Sequence, residues 1–244
     1  MMARRGVLGV LAGGTAALLS GCGLIWPSDR LRHRITVEVG TPYGLRTGSS
    51  VVETEVRKGK GWGDASGTSF QLKGEAAAVD LGGGRTLFAL LRGADSTQGD
   101  AAGYQTRLLY EALRAIGPSG PAGDVSHMDV MQVRAAAQDA QVKLDLPVKL
   151  YPLMVTFGDD KDPISVARVD PANLAASFRP GYALKRITIE VTHDAISTGI
   201  EEKLEWLTSH RGTLKPNPPS FLDDPSDPDL RLLGKGPFAT ELVK

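Results

Sequence analysis

A six-residue pattern constrains this chain more than any other feature: Arg34-Ile35-Thr36-Val37-Glu38-Val39 returns almost unchanged as Arg186-Ile187-Thr188-Ile189-Glu190-Val191. Apolar and polar residues alternate in both copies, which is the period of a strand with one buried face. Each copy is followed, after a gap, by Thr-Gly (Thr47-Gly48 and Thr198-Gly199). Two strands of similar burial can converge on such residues, or a unit can be duplicated around inserted helices. The segments between the copies do not align, so one domain is expected over 34–208.

The neighbouring pattern extends this reading. Val52, Thr54 and Val56 alternate with Glu53, Glu55 and Arg57 after a turn at Gly40-Thr41-Pro42-Tyr43-Gly44. Residues 59–67 carry four glycines around Trp62 and read as a loop. Segments 70–81 and 85–91 flank Gly82-Gly83-Gly84, which predicts a hairpin with positive φ in its turn. The period then changes. Tyr104, Leu108, Ala112 and Ile116 share a helical face, Arg107 and Glu111 stand four apart, and Gly117-Pro118 ends the helix. Ser126 and Asp129 resemble a capping box for a second helix to about residue 140.

Further strands are expected at 147–157, 165–169 and 184–192. Asp170-Pro171 should cap a short helix through Ser177, and Ile200, Leu204 and Leu207 share another helical face. From Ser209 onward six prolines fall in 36 residues, among Asp223, Asp224, Asp227 and Asp229. That stretch, 209–244, is expected to be an extended, mobile tail, in which Leu230 to Leu233 could dock. The predicted class is α+β, a mainly antiparallel sheet with a central pair of helices. Strict strand–helix alternation is missing, which counts against a doubly wound nucleotide fold.

The N-terminus reads differently. Arg4 and Arg5 precede an uncharged stretch from Gly6 to Leu19 that ends in Ser20-Gly21 before Cys22. A charged start, an apolar middle and a small-residue exit describe an export signal. The middle is shorter than the ~20 residues a membrane-spanning helix needs. Leu19-Ser20-Gly21-Cys22 resembles the lipobox of bacterial lipoproteins. The resemblance implies a signal peptide over 1–21, acylation of Cys22 and a tether over 22–33. An uncleaved anchor is the competing reading, because the uncharged run continues to Ser28; six glycines and Pro27 weaken it as a spanning helix.

Ala3-Arg4-Arg5-Gly6-Val7-Leu8 is similar to a twin-arginine export motif without its usual flanks, which leaves the export route open. Gly23 stands where lipoproteins kept at the inner membrane carry Asp. In a two-membrane cell the resemblance therefore implies the periplasmic face of the outer membrane.

Composition narrows the function. Lys+Arg and Asp+Glu are both 28. Losing residues 1–21 would leave 26 of the basic residues against 28 acids, a net charge of −2. No basic footprint for nucleic acid remains, and membrane contact is expected through the lipid alone. The single cysteine excludes an internal disulfide framework and Cys-rich metal sites.

Chemistry is hard to find. No Gly-x-Ser-x-Gly elbow or His-Glu-x-x-His is present. Gly48-Ser49-Ser50 and Gly67-Thr68-Ser69 read as turns. His33, His127, His193 and His210 are dispersed; Glu190 and His193, three apart on a strand, face opposite ways. Gly82-Gly83-Gly84-Arg85 leads into a strand, not a helix N-terminus, so it is no phosphate cradle. Asp159, Asp160 and Asp162 lack the spacing of a calcium loop. No catalytic residue, cofactor or metal site is expected. Glu53 and Glu55, on the wet face of one strand, with Asp80 ending another, are the best candidates for carboxylate-dependent hydrolysis. Trp62 and Tyr43 are candidate contacts for a partner or a sugar.

Residues 44–50, 84–93 and 199–207 resemble recurring segments of a group of uncharacterised bacterial envelope proteins, a resemblance that carries no activity. The expected function is a lipid-anchored, non-enzymatic module binding an envelope protein or glycan. A carboxylate-dependent hydrolase and a small-ligand carrier, which needs an apolar cavity, are the alternatives.

Overall fold

The computed structural model describes residues 28–58, 68–94, 100–114, 143–215 and 227–241. Among these described residues nine strands form two wholly antiparallel sheets. β1 (Ser28–Thr41), β2 (Gly44–Lys58), β3 (Thr68–Lys73), β6 (Lys143–Asp145) and β9 (Ala183–Val191) make the first sheet, in the order β3-β2-β1-β9-β6. β4 (Ala77–Gly82), β5 (Arg85–Gly93), β7 (Pro152–Phe157) and β8 (Val166–Arg168) make the second, in that order. α1 (Ala101–Arg114) covers one end of the space between them; α2 (Leu174–Phe178) and α3 (Pro228–Arg231) are short.

The repeated hexapeptide has a simple use. β1 and β9 are neighbours, with Arg34 opposite Glu190, Ile35 opposite Ile189, Thr36 opposite Thr188 and Glu38 opposite Arg186. The pattern is complementary to itself when reversed. An Arg four residues before a Glu meets a Glu four residues after an Arg. The resulting ion pairs, Arg34–Glu190 at 3.7 Å and Arg186–Glu38 at 2.8 Å, fix register on the polar face. Ile35, Val37, Ile187 and Ile189 are buried on the other face.

The second sheet lies between two cores. Val79, Leu81, Leu87, Ala89 and Met154 face the first sheet, while Phe88, Leu90, Leu153, Val155 and Phe157 face away from it. Every residue of β7 is buried. A strand covered on both faces reads as a continuous apolar run, as β5 and β7 do.

The outer cover comes from the C-terminal stretch, which corrects the expectation of a mobile tail. Leu214, Leu230, Leu233, Phe238 and Ala239 are buried there beside Ile200, Leu204, Trp206 and Leu207. Two of the aspartates that suggested solvation, Asp227 and Asp229, hold arginines: Arg92 reaches Asp229 at 3.1 Å, and Arg168 reaches Asp227 at 2.9 Å and Asp229 at 3.0 Å; Asp223 and Asp224 lie outside the described residues. Prolines remove periodicity without removing apolar surface.

Other boundaries also shift. β1 begins at Ser28, inside the expected 22–33 tether, and His33 is buried. Segment 70–81 is two strands, not one. Gly74, at φ 134°, turns the chain from the first sheet into the second, and a Cβ there would lie 3.1 Å from Val51 O. Gly48-Ser49-Ser50 and Thr68-Ser69 lie within strands, not in turns. Gly48 is needed because a Cβ would fall 2.1 Å from the Ala78 carbonyl oxygen of the second sheet.

Asp170-Pro171 makes a turn rather than a cap: Asp170 Oδ1 accepts from Ala172 N, and the helix starts later, at Leu174. Ile200, Leu204 and Leu207 are buried together, but on two 3₁₀ turns (Ile200–Glu202 and Glu205–Thr208). The expected hairpin at Gly82-Gly83-Gly84 is present, with φ of 80°, 65° and 71°. Mainly antiparallel sheet thus describes the fold. Of the expected central helices only the first, α1, is described; 126–140 lies outside the described residues.

Phe238 packs within 6.2 Å of the Phe88 ring, 5.9 Å of Phe157 and 5.8 Å of Trp206, centroid to centroid. Phe238→Ala should therefore cost about 3–5 kcal/mol in urea unfolding. Leu232→Ala, at a side chain 70% exposed in the same stretch, should stay within about 0.5 kcal/mol of the unaltered protein.

Candidate functional site

Three turns meet at the end of the sandwich opposite the start of β1. The β1–β2 turn holds Pro42 and Tyr43 between the paired Thr41 and Gly44. Thr41 Oγ1 accepts from Tyr43 N and donates to Gly44 O, and Gly44 takes φ 112°. The turn after α2 packs against it: a Cβ on Gly181 would lie 2.8 Å from Pro42 Cγ. The β4–β5 turn is the third, with Arg46 Nη2 3.9 Å from where a Gly82 Cβ would stand.

Arg85 stiffens this end from below. It donates to Phe178 O and to the Tyr182 hydroxyl, both at 2.8 Å, with its guanidinium 5.0 Å from the Tyr182 ring centroid. Arg179 sits here at φ 96°, ψ 165°, a backbone region essentially reserved for glycine. Tyr43 is 79% exposed and Leu45 59% exposed. An apolar pair beside the exposed Arg46 and Arg179 has the composition of a protein contact. Tyr43 thus stands at the tip, while Trp62 and Cys22 lie outside the described residues.

The fold does not bring Asp80 together with Glu53 and Glu55. Glu53 and Glu55 are 4% and 3% exposed, not on a wet face, and each faces an arginine of β1. Arg32 Nε donates to Glu53 Oε2 at 2.8 Å, and Arg30 Nε lies 3.4 Å from Glu55 Oε2. Arg34 continues the row, pairing with Asp194 and Glu190. These partners are remote in sequence, so no local motif reveals them. Asp80 is exposed on the other sheet and caps its own hairpin by accepting from Gly82 N. Ala78, two residues before it, meets β2 at Gly48. Glu53 stands five residues farther along β2, about 17 Å away at ~3.3 Å per residue. A carboxylate pair for glycan cleavage needs roughly 5–9.5 Å.

A buried polar bridge, unmarked in the sequence, joins the sheets. His33 Nε2 lies 2.8 Å from Gln105 Oε1, and Gln105 Nε2 donates to Leu91 O at 2.9 Å. Gln105 therefore ties β1 to β5 through α1. Among the described residues His33 Nδ1 and Thr54 Oγ1 have no hydrogen-bond partner. Burial pushes the His33 pKa from its ordinary 6.5 down to about 4, with the Gln105 hydrogen bond acting the other way. His193 is exposed, and its neighbour Glu190 is committed to Arg34. Among the described residues no three His, Cys, Asp or Glu side chains are placed to hold a metal ion. Asp159 and Asp162 accept from Lys161 N and Ile164 N in ordinary turns.

A cleft of about 520 Å³ opens at the start of α1, lined by Leu72, Arg92, Asp100, Ala101, Pro237 and Thr240 among others. Its polar groups are already engaged: Arg92 with Asp229, Asp100 with Gly103 N, and Thr240 with Gly74. No protein-family model, curated protein or solved structure matches the chain.

The neutral His33 ring has a measurable consequence. The unfolded chain binds a proton at this residue below about pH 6.5, whereas the folded one does so only near 4. This group's contribution to stability is intact above pH 6.5 and is lost as pH falls to about 4, by ~3 kcal/mol. Urea unfolding of His33→Gln at pH 7, 5.5 and 4 should show a pH slope smaller by that amount than the unaltered protein's.

Proposed function

We propose that this chain is a lipid-anchored protein of the cell envelope whose folded body binds or scaffolds another envelope component without catalysing a reaction. The carrying observation is the polarity of β1. Its first residue, Ser28, follows Cys22 by six positions, and its last, Thr41, leads directly into the exposed Tyr43. Five intervening residues reach at most ~18 Å. Acylation at Cys22 would hold the start of β1 near a bilayer and direct the tip away from it, over ~46 Å of strand. Several acyl chains, at ~0.8 kcal/mol per buried CH₂, suffice for stable attachment. Gly23 favours the outer membrane in this reading.

Carriage of a small ligand is a second reading, motivated by the cleft beside α1. Its polar lining is satisfied internally, which leaves only shape to select a ligand.

Cys22→Ala should move the protein from the membrane to the soluble fraction of its native host, with intact mass showing loss of the acyl chains. A full-length mass with the leader attached and the thiol bare would refute the anchor. A photo-crosslinking residue in place of Tyr43 should capture the same envelope component in repeated experiments; no reproducible product would refute the binding role.

A further inference from the structure

The first sheet has an unfinished edge. β3 pairs with β2 only from Glu53 to Lys58, so among the described residues no strand pairs with the outer side of β2 from Leu45 to Ser49. The direction of its backbone groups is fixed by Val51, whose N–H donates to Ser197 Oγ at 2.9 Å and whose carbonyl accepts from Ser197 N at 3.0 Å. Both lie on the side away from β1. In an antiparallel ladder every second residue points the same way, so Leu45, Thr47 and Ser49 also aim their N–H and C=O groups outward. None of these has a hydrogen-bond partner among the described residues.

Such edges are ordinarily blunted by a charged side chain, a proline, a bulge or a covering element. Among the described residues no proline, bulge or covering element blunts this stretch, and its one charged side chain is Arg46. Leu45, Thr47 and Ser49 are uncharged and exposed, and the β1–β2 register runs unbroken from Ser28–Arg57 to Thr41–Gly44. Arg46, on the opposite face between them, is exposed and makes no ion pair among the described residues.

We propose that the edge of β2 from Leu45 to Ser49 accepts an extended segment of another envelope protein as an added strand, with an acidic side chain of that segment against Arg46. Main-chain hydrogen bonds supply the affinity and Arg46 the choice of sequence. This rests on the anchored binding-module reading and names its mode of recognition. The anchor also decides against a second copy of the chain. Two such edges joined about a two-fold axis at Thr47 would point their β1 strands in opposite directions. Glu38 stands opposite Thr47, so the two Ser28 residues would lie ~66 Å apart along the strands. Upright strands on one bilayer could not both be tethered.

The test uses the full chain in detergent with a fluorescein-labelled peptide Ser-Thr-Val-Glu-Val-Thr-Ser and a counterpart with Lys at its centre. The Glu peptide should bind at least fivefold more tightly than the Lys peptide, and Arg46→Glu should reverse that order. Thr47→Pro removes an outward N–H without breaking the ladder to β1, and should weaken binding at least tenfold. In the unaltered protein, binding should slow hydrogen exchange at Leu45, Thr47 and Ser49 but not at Arg46 and Gly48, so a poorly folded variant does not decide the matter. No binding, equal binding of the two peptides, uniform protection, or a dimer joined through this edge would each overturn the proposal. Crosslinks from Tyr43 that persist in Thr47→Pro would overturn strand addition alone; absence of any crosslink would remove the binding-module reading with it.

Discussion

The middle strands of the second sheet, β5 and β7, are covered on both faces, and the rest of the architecture follows from that. One side is closed by the first sheet, whose alternating strands can offer one apolar face and keep the other wet. The other side is closed by irregular chain: two 3₁₀ turns and a stretch around Leu230, Leu233 and Phe238. Without that layer, Phe88, Leu153, Val155 and Phe157 would face solvent together. Burying them is the main source of stability on this side, at roughly 25 cal/mol per Å² of apolar surface removed from water. Backbone bonds join the layers as well, with Ala76 N donating to Phe238 O and Leu91 N to Pro237 O.

What was legible in the sequence was whatever has a local period. Ile35-x-Val37-x-Val39 announces a half-buried strand, and three glycines announce a turn, because the cause sits within a few residues. Burial on both faces has no such mark. Glu53 and Glu55 look solvent-facing by alternation, yet they are covered and matched by arginines more than twenty positions earlier. Leu230 to Leu233 stand out as a leucine-rich run that could dock, whereas Leu214 and Phe238 dock without regular spacing, so neither helix nor strand period picks those two out. Gly48-Ser49-Ser50 reads as a turn because glycine has two uses; here Gly48 admits a neighbouring carbonyl rather than a bend.

The candidate site was legible only in part. Tyr43 could be singled out as an aromatic residue in a turn. Leu45 and Arg46 stand beside it in the chain, but the turn after α2, which carries Arg179, packs on Pro42 only through folding, from more than a hundred residues away. The open stretch of β2 is a property of register alone: β3 is shorter than β2, and no composition reveals that. Gln105 likewise becomes a link between sheets only because α1 lies across both of them.

The order of these elements along the chain sets when the molecule can become itself. Its central strand, β1, is made first but needs β9, about 150 residues later, and the last layer over the second sheet arrives within the final dozen or so residues. Contacts of such long range are closed slowly. A chain threaded through a membrane N-terminus first would therefore finish its journey before it could finish folding, and its two hydrophobic cores would depend meanwhile on whatever shields nascent proteins on the far side.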